Sequence, residues 1–181
     1  QKKALAEAID KMVKSAAWKD ILKQKGWDDA YLAGDDFAKF LKEEQVIDEI
    51  VKAVGTLSSK KIGAILALEK KMNLKVYIET GVIMDSHISV ELLHTIFMPN
   101  SPLHDGGVVI RGDRIVASCV LFPLTENPSL SKTLGTRHRA ALGLTEETDA
   151  LAIVVSEETG TISIATEGKL TRDLELETLK N

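Results

Sequence analysis

The chain reads as an α/β protein, with a mixed, mainly antiparallel central sheet flanked by helices and an N-terminal helical extension. Three observations predict this. Apolar residues recur at helical spacing towards both ends of the chain. The uninterrupted run Ile62-Gly63-Ala64-Ile65-Leu66-Ala67-Leu68 has the length and character of a central strand buried on both faces. Two pairs of apolar runs in the second half flank polar turn residues, which is the pattern of hairpins.

From the start, Leu5, Ala8, Ile9, Met12, Val13, Ala16, Ala17, Ile21 and Leu22 fall on one face of an amphipathic helix that Gly26 stops. Trp18 and Trp27 flank its end, and 26–34 is turn-like. A second helix, capped by Asp35 or Asp36, turns Phe37, Phe40, Leu41, Ile47, Ile50, Val51 and Val54 inward and ends near Gly55. Lys60-Lys61 lead into the central strand, and 76–78 reads as another short strand. Ser89 opens a helix carrying Val90, Leu93, His94 and Phe97, which Pro99 closes; His87 before it reads as loop. The runs 108–110 and 115–121 flank Arg111-Gly112-Asp113-Arg114 as a hairpin. Pro123 and Pro128 bracket a loop, and 151–155 with 161–165 form a second strand pair around Glu157-Glu158-Thr159-Gly160. Leu174, Leu176 and Leu179 predict a closing helix. The extension covers 1–45 and the main domain 46–181.

At 181 residues and 44% hydrophobic, the chain is long enough for one globular domain with a sizeable core. A formal charge of −4 argues against broad nucleic-acid binding and leaves room for a local basic pocket. The single Cys119 excludes an internal disulfide and offers no zinc cluster, as suits a reducing cytoplasm; it reads as a small buried hydrophobe. No apolar run approaches the roughly 20 residues of a membrane span, and none reads as a signal peptide.

Two stretches carry chemistry. In Leu134-Gly135-Thr136-Arg137-His138-Arg139, a loop turns into a helix at Gly135 and Thr136. Free N–H groups, two guanidinium forks and an imidazole there converge on one small volume suited to polyphosphate. Two arginines at a helix start run against the dipole, and Arg137 has no evident partner without an anion. In His104-Asp105-Gly106-Gly107, a carboxylate stands at a strand edge where glycines let the backbone approach a ligand closely. Asp105 would otherwise cap the turn its glycines make. His104 reads as structural, because neighbours on an extended chain face opposite ways. An anion clamp beside a hard-cation ligand suggests a metal nucleotide.

The strings PLHDGG, LFPLTENPSLSKTLGTRHRAALGLTEETDA and VVSEETGTISIA resemble the diadenylate cyclase (DAC) domain, most closely its membrane-anchored CdaA-type members. The family's signatures are Asp-Gly-Ala and Arg-His-Arg; this chain has Asp105-Gly106-Gly107 and Arg137-His138-Arg139. Gly107 departs from the usual Ala by one methyl group, a change that reads as tolerated. The likeness runs from about Val46 to the end, and 26–34 does not share it.

The resemblance implies a DAC-type fold and condensation of two ATP into cyclic di-AMP by a homodimer, with Mg²⁺ or Mn²⁺ as cofactor. It implies that Asp105 holds the cation and helps activate the 3′-hydroxyl, and that Arg137 and His138 meet the triphosphate. Arg139 contacts phosphate or holds the loop. Gly106, Gly107, Gly135 and Thr136 complete the nucleotide site, Leu121, Phe122 and Leu124 border the adenine, Ser156 binds phosphate and Glu158 supports the cation. It further implies a membrane anchor upstream of this chain and a cytoplasmic catalytic domain. A rival expectation is an inactive DAC-like module that only binds ATP or cyclic di-AMP, with Gly107 marking lost catalysis. A Ser101, His104, Asp105 hydrolase lacks the nucleophile-elbow pattern.

Overall fold

The computed structural model describes residues 2–128 and 134–180; the stretch 129–133, which follows the Pro123–Pro128 loop, lies outside them. The chain divides into two compact units, Gln1–Lys42 and Glu43–Asn181. Among the described residues no helix is long and apolar enough to cross a membrane.

Where one helix is expected at the start, there are two, α1 (Lys2–Val13) and α2 (Ala16–Lys25). The Ser15 hydroxyl accepts the Trp18 N–H at 3.2 Å and so begins a new helix, which serine does better than it continues one. Gly26 ends α2 in the left-handed region, as expected. Next, α3 (Gly34–Ser59) takes Asp35 and Asp36 into its first turn. Phe37, Phe40 and Leu41 are exposed rather than inward; only from Val46 does the helix reach the sheet's core, through Ile50, Ala53, Val54 and Leu57. Nor does Gly55 end it. A Cβ there would lie 2.9 Å from Leu176 Cδ1, so Gly55 is the notch that seats the C-terminal segment.

The strands are β1 (Ala64–Leu68), β2 (Val82–His87), β3 (Gly107–Arg111), β4 (Arg114–Val120), β5 (Leu151–Val155), β6 (Ile162–Thr166) and β7 (Lys169–Thr171). They form one sheet in the order β2-β4-β3-β1-β5-β6-β7. Central β1 runs parallel to β3 and antiparallel to β5, and the other pairings are antiparallel, so the sheet is mixed and mainly antiparallel. Alternation along β1 divides the core: Ala64 and Leu66 join one cluster, Ile65 and Ala67 the other. The first is covered by α3 and α5 (Val90–Phe97), which Ser89 caps, and the second by α4 (Lys75–Ile78) and α6 (Thr136–Glu147).

Three local expectations fail for identifiable reasons. Residues 76–78 are the helix α4, because Glu69 and Asn73 accept the N–H groups of Leu74 and Lys75 at 2.9 and 2.7 Å. The neighbouring strand is β2, so His87 ends a strand instead of lying in a loop. Cys119 is only half-buried; its φ is 53° and its Sγ sits 3.5 Å from the Pro102 carbonyl. Chain's end differs in kind: Leu176–Lys180 is a 3-10 helix.

Candidate functional site

The Asp-Gly-Gly loop enters β3 and the Arg-His-Arg stretch opens α6, and two adjoining cavities lie between them. The larger, about 550 Å³, is lined by Ile65, Asp105, Gly106, Gly107, Val120, Leu121, Phe122, Leu124, Thr136, Arg137, Ala140 and Glu157. The smaller, about 200 Å³, is lined by Gly135, Thr136, Arg137, His138, Val155, Ser156, Glu157, Glu158, Thr159 and Arg172. Thr136, Arg137 and Glu157 belong to both. Every residue expected at the site therefore lines a cavity except Arg139. Its Nε donates to the Leu134 carbonyl at 3.4 Å, so of its two expected roles the loop-holding one has a visible contact.

Gly106 carries φ 109°, and a Cβ on it would come within 2.6 Å of the Cys119 carbonyl carbon. Glycine is thus needed for the backbone angle and for the approach to β4. Ahead of it, His104 Nδ1 lies 2.6 Å from the Ser101 carbonyl oxygen, and the Ser101 hydroxyl accepts the Leu103 N–H at 3.2 Å. Both side chains brace the loop and make no relay towards Asp105. Asp105 itself is exposed, and among the described residues it has no hydrogen bond or ion pair. It does not cap its turn. The residue lines the larger cavity.

On the far wall Leu121 and Leu124 are exposed, and Phe122 is buried. The Phe122 ring meets Tyr77 edge-on, with centroids 6.1 Å apart. This loop is fastened to α6 at close range. A Cβ on Gly143 would fall 2.1 Å from the Pro123 carbonyl oxygen, and the Thr125 hydroxyl donates to Glu146 at 2.6 Å.

At the start of α6 no side chain caps the helix, and its first residues, Thr136, Arg137 and His138, line the small cavity beside Gly135. Arg137 is not unpartnered: Nη1 donates to Glu157 Oε2 at 2.6 Å. The expectation fails because Glu157, on the turn after β5, stands over the helix start and neutralises the guanidinium there. His138 is 5% exposed, with Nε2 3.5 Å from the Ser163 hydroxyl. Burial, and then the nearby charge of Arg172, push its pKa below the ordinary imidazole value.

Glu157 and Arg172 were not among the expected site residues. Glu157 sits between two that were, Ser156 and Glu158, and nothing in the local pattern favours it over its neighbours. Arg172 follows β7, a strand whose turn is signalled only by Glu167-Gly168. Among the described residues no three His, Cys, Asp or Glu side chains gather into a closed metal site. A lone free carboxylate beside a polyphosphate-sized space suits a hard cation that takes its remaining ligands from phosphate and water. The residue at position 105 is of the kind that could hold a divalent cation on those terms.

Comparison with known proteins identifies the family. Residues 51–170 match the DAC family, described as DisA bacterial checkpoint controller nucleotide-binding. The chain is 47% identical over 138 residues to the cyclic di-AMP synthase CdaA of Bacillus subtilis, covering 76% of this chain and 50% of that one. It is 46% identical over 138 residues to a diadenylate cyclase of Listeria monocytogenes, with the same coverage of 76% and 50%. This chain thus spans about half the length of those two relatives. The crystal structure of a double cysteine mutant of DacA from Staphylococcus aureus superposes with a TM-score of 0.75 at 49% identity, over 76% of this chain and 92% of that one. A structure titled as a hypothetical membrane spanning protein from Bacillus cereus gives 0.69 at 42% identity, over 71% and 63%. By sequence, by fold and by the motifs lining its cavities, the chain belongs to the diadenylate cyclase (DAC) family.

Proposed function

We propose that this domain is a diadenylate cyclase, which joins two ATP molecules into cyclic di-AMP and releases two pyrophosphates. The observation that carries the reading is the pair of cavities sharing Thr136, Arg137 and Glu157. One offers apolar walls and a free carboxylate, and the other a helix start with basic side chains. A nucleotide laid across them puts its base against Phe122, Leu121 and Leu124 and its triphosphate against Gly135, Thr136, Arg137 and His138. Ser156 adds a hydroxyl to the phosphate wall.

Each bond forms when a 3′-hydroxyl oxygen attacks an α-phosphorus, the bond to the bridging oxygen of pyrophosphate breaks, and the hydroxyl proton leaves. Arg137 and the α6 N–H groups hold the charge that gathers on the leaving pyrophosphate. Asp105 would help activate the attacking hydroxyl and receive the proton it loses. Held by Asp105 with support from Glu158, Mg²⁺ or Mn²⁺ would offset charge on the phosphate oxygens and acidify the hydroxyl. The active form is a homodimer, since one domain supplies groups for one ATP. By the same kinship, the domain works on the cytoplasmic side of a membrane anchor belonging to a longer protein.

Incubation with ATP and either cation, with products separated by chromatography, tests the reading. Cyclic di-AMP is expected; ATP bound but unchanged would leave only a binding module. Asp105→Asn keeps the size and removes the charge. Turnover is expected to fall by about two orders of magnitude with the melting temperature unchanged. Near-normal product formation by a folded Asp105→Asn protein would remove Asp105 from the mechanism.

A further inference from the structure

Gly107 is the one place where the chain departs from the family's Asp-Gly-Ala, and the structure gives the departure a partner. A Cβ built on Gly107 would lie 2.2 Å from Phe122 Cε2 and 3.1 Å from Cδ2 and Cζ. No real contact is that short, so the ring occupies the place a methyl group would need. Gly107 is buried, and both residues line the larger cavity. Behind the ring stands Tyr77, 6.1 Å away centroid to centroid, with its hydroxyl donating to Glu147 at 2.6 Å. Phe122 also packs within the cluster of Ile65, Val109, Val120 and Ala140. With the core behind it, a displaced ring has the cavity as its open side.

We infer that Gly107 and Phe122 act as one positioning unit that sets the depth of the apolar floor beneath the base. Gly107 supplies the hollow and Phe122 fills it, so the glycine is required by the size of residue 122 and does not mark lost catalysis. The inference rests on the cyclase reading only for what binds above the floor. Any ligand with a planar apolar face in that cavity would meet the same surface.

The test is a double-mutant cycle on the full 181-residue chain, with Gly107→Ala, Phe122→Leu and the double variant. Gly107→Ala drives the ring into the cavity, so KM and the calorimetric Kd for ATP should rise about tenfold while kcat stays within about twofold. Phe122→Leu leaves a hollow beneath the base and should weaken binding less. In the double variant the new methyl fills space the smaller leucine vacates, and Kd should return to within about twofold of wild type. A merely structural role would lower the melting temperature of Gly107→Ala without this split and rescue. Unchanged ATP affinity in Gly107→Ala, or additive losses in the double variant, would overturn the inference. Wild type that binds ATP but makes no cyclic product defeats the cyclase reading alone, and the affinity cycle still decides the pair. Wild type that binds no ATP overturns both.

Discussion

Arg137 holds Glu157 at the point where a triphosphate would arrive, so binding exchanges one anion for another. Both side chains keep solvent contact, at 26% and 64% exposure, which limits the worth of the pair to about 0–1 kcal/mol. Arg137→Ala is therefore expected to cost the empty protein no more than about 1 kcal/mol. Lost charge-assisted contacts should weaken ATP binding by about tenfold or more. Thermal melting and calorimetry on the same samples check this, and a loss of apo stability well beyond 1 kcal/mol would make Arg137 a structural residue. His138 supplies a pH signature. Burial lowers its pKa, so the folded state disfavours the proton that the unfolded chain accepts at about 6.5. Its contribution to stability is accordingly whole above that pH and declines as pH falls towards the lowered folded value. A triphosphate in the small cavity pulls the other way and raises the pKa. ATP binding near pH 6 should thus take up a proton, seen as a dependence of the calorimetric heat on buffer ionisation enthalpy. His138→Gln should remove the imidazole's share of that uptake and leave only the part due to the terminal phosphate of ATP, which titrates in the same range.

At the end of β1 a single side chain ties three elements. Glu69, 7% exposed, accepts from Arg111 Nε and from Arg111 Nη2 at 2.8 Å, and it also accepts the Leu74 N–H at 2.9 Å ahead of α4. The Arg111 hydrogen bonds hold its carboxyl below the usual carboxylate value. Glu69→Gln should lower stability at pH 7 by about 1.5–3 kcal/mol, the range for hydrogen bonds to charged groups. For a depressed carboxylate, the stabilisation is present above the unfolded pKa and lost as pH falls through the folded one. Denaturant unfolding should therefore show the gap between wild type and variant narrowing in acid. A gap as wide at pH 3 as at pH 7 would mean that packing, not charge, makes the contribution. Such side-chain links also explain which elements were legible in the sequence. β1, α5 and the β3–β4 hairpin were, because burial on both faces, a serine cap and a polar turn are local signals. α4 was not, since its N–H groups are claimed by Glu69 and Asn73, side chains outside its own four residues. β2 is an edge strand with an exposed pattern and a register shift after Ile83, so it carries no clean alternation. The site divides in the same way. Asp105 and the Arg-His-Arg stretch stand in readable motifs, whereas Glu157 and Arg172 reach the cavities only through the pairing of β5, β6 and β7.

For the molecule as a whole, the count of groups bears on the proposed assembly. The chain has one Asp-Gly-Gly and one Arg-His-Arg, enough for one ATP, while the proposed product contains two identical phosphodiester links. On the proposed cyclase reading two domains would meet about a two-fold axis, each presenting its nucleotide's 3′-hydroxyl to the other's α-phosphate. Holding such a pair in line would supply most of the rate, because it turns an encounter of two nucleotides into an intramolecular step. Where pairing is weak, activity per milligram should rise with protein concentration and then level off. Mixing sharpens the test. With Asp105→Asn in excess, most wild-type chains sit in mixed pairs that have one competent site and can close only one of the two links. The linear half-reacted dinucleotide should then accumulate at the expense of the cyclic product, and the ratio should follow the mixing fraction. Chromatography of the products beside sedimentation of the same mixtures reads both quantities. Cyclic product made at constant specific activity by a protein that sediments as a monomer throughout would sink the face-to-face arrangement.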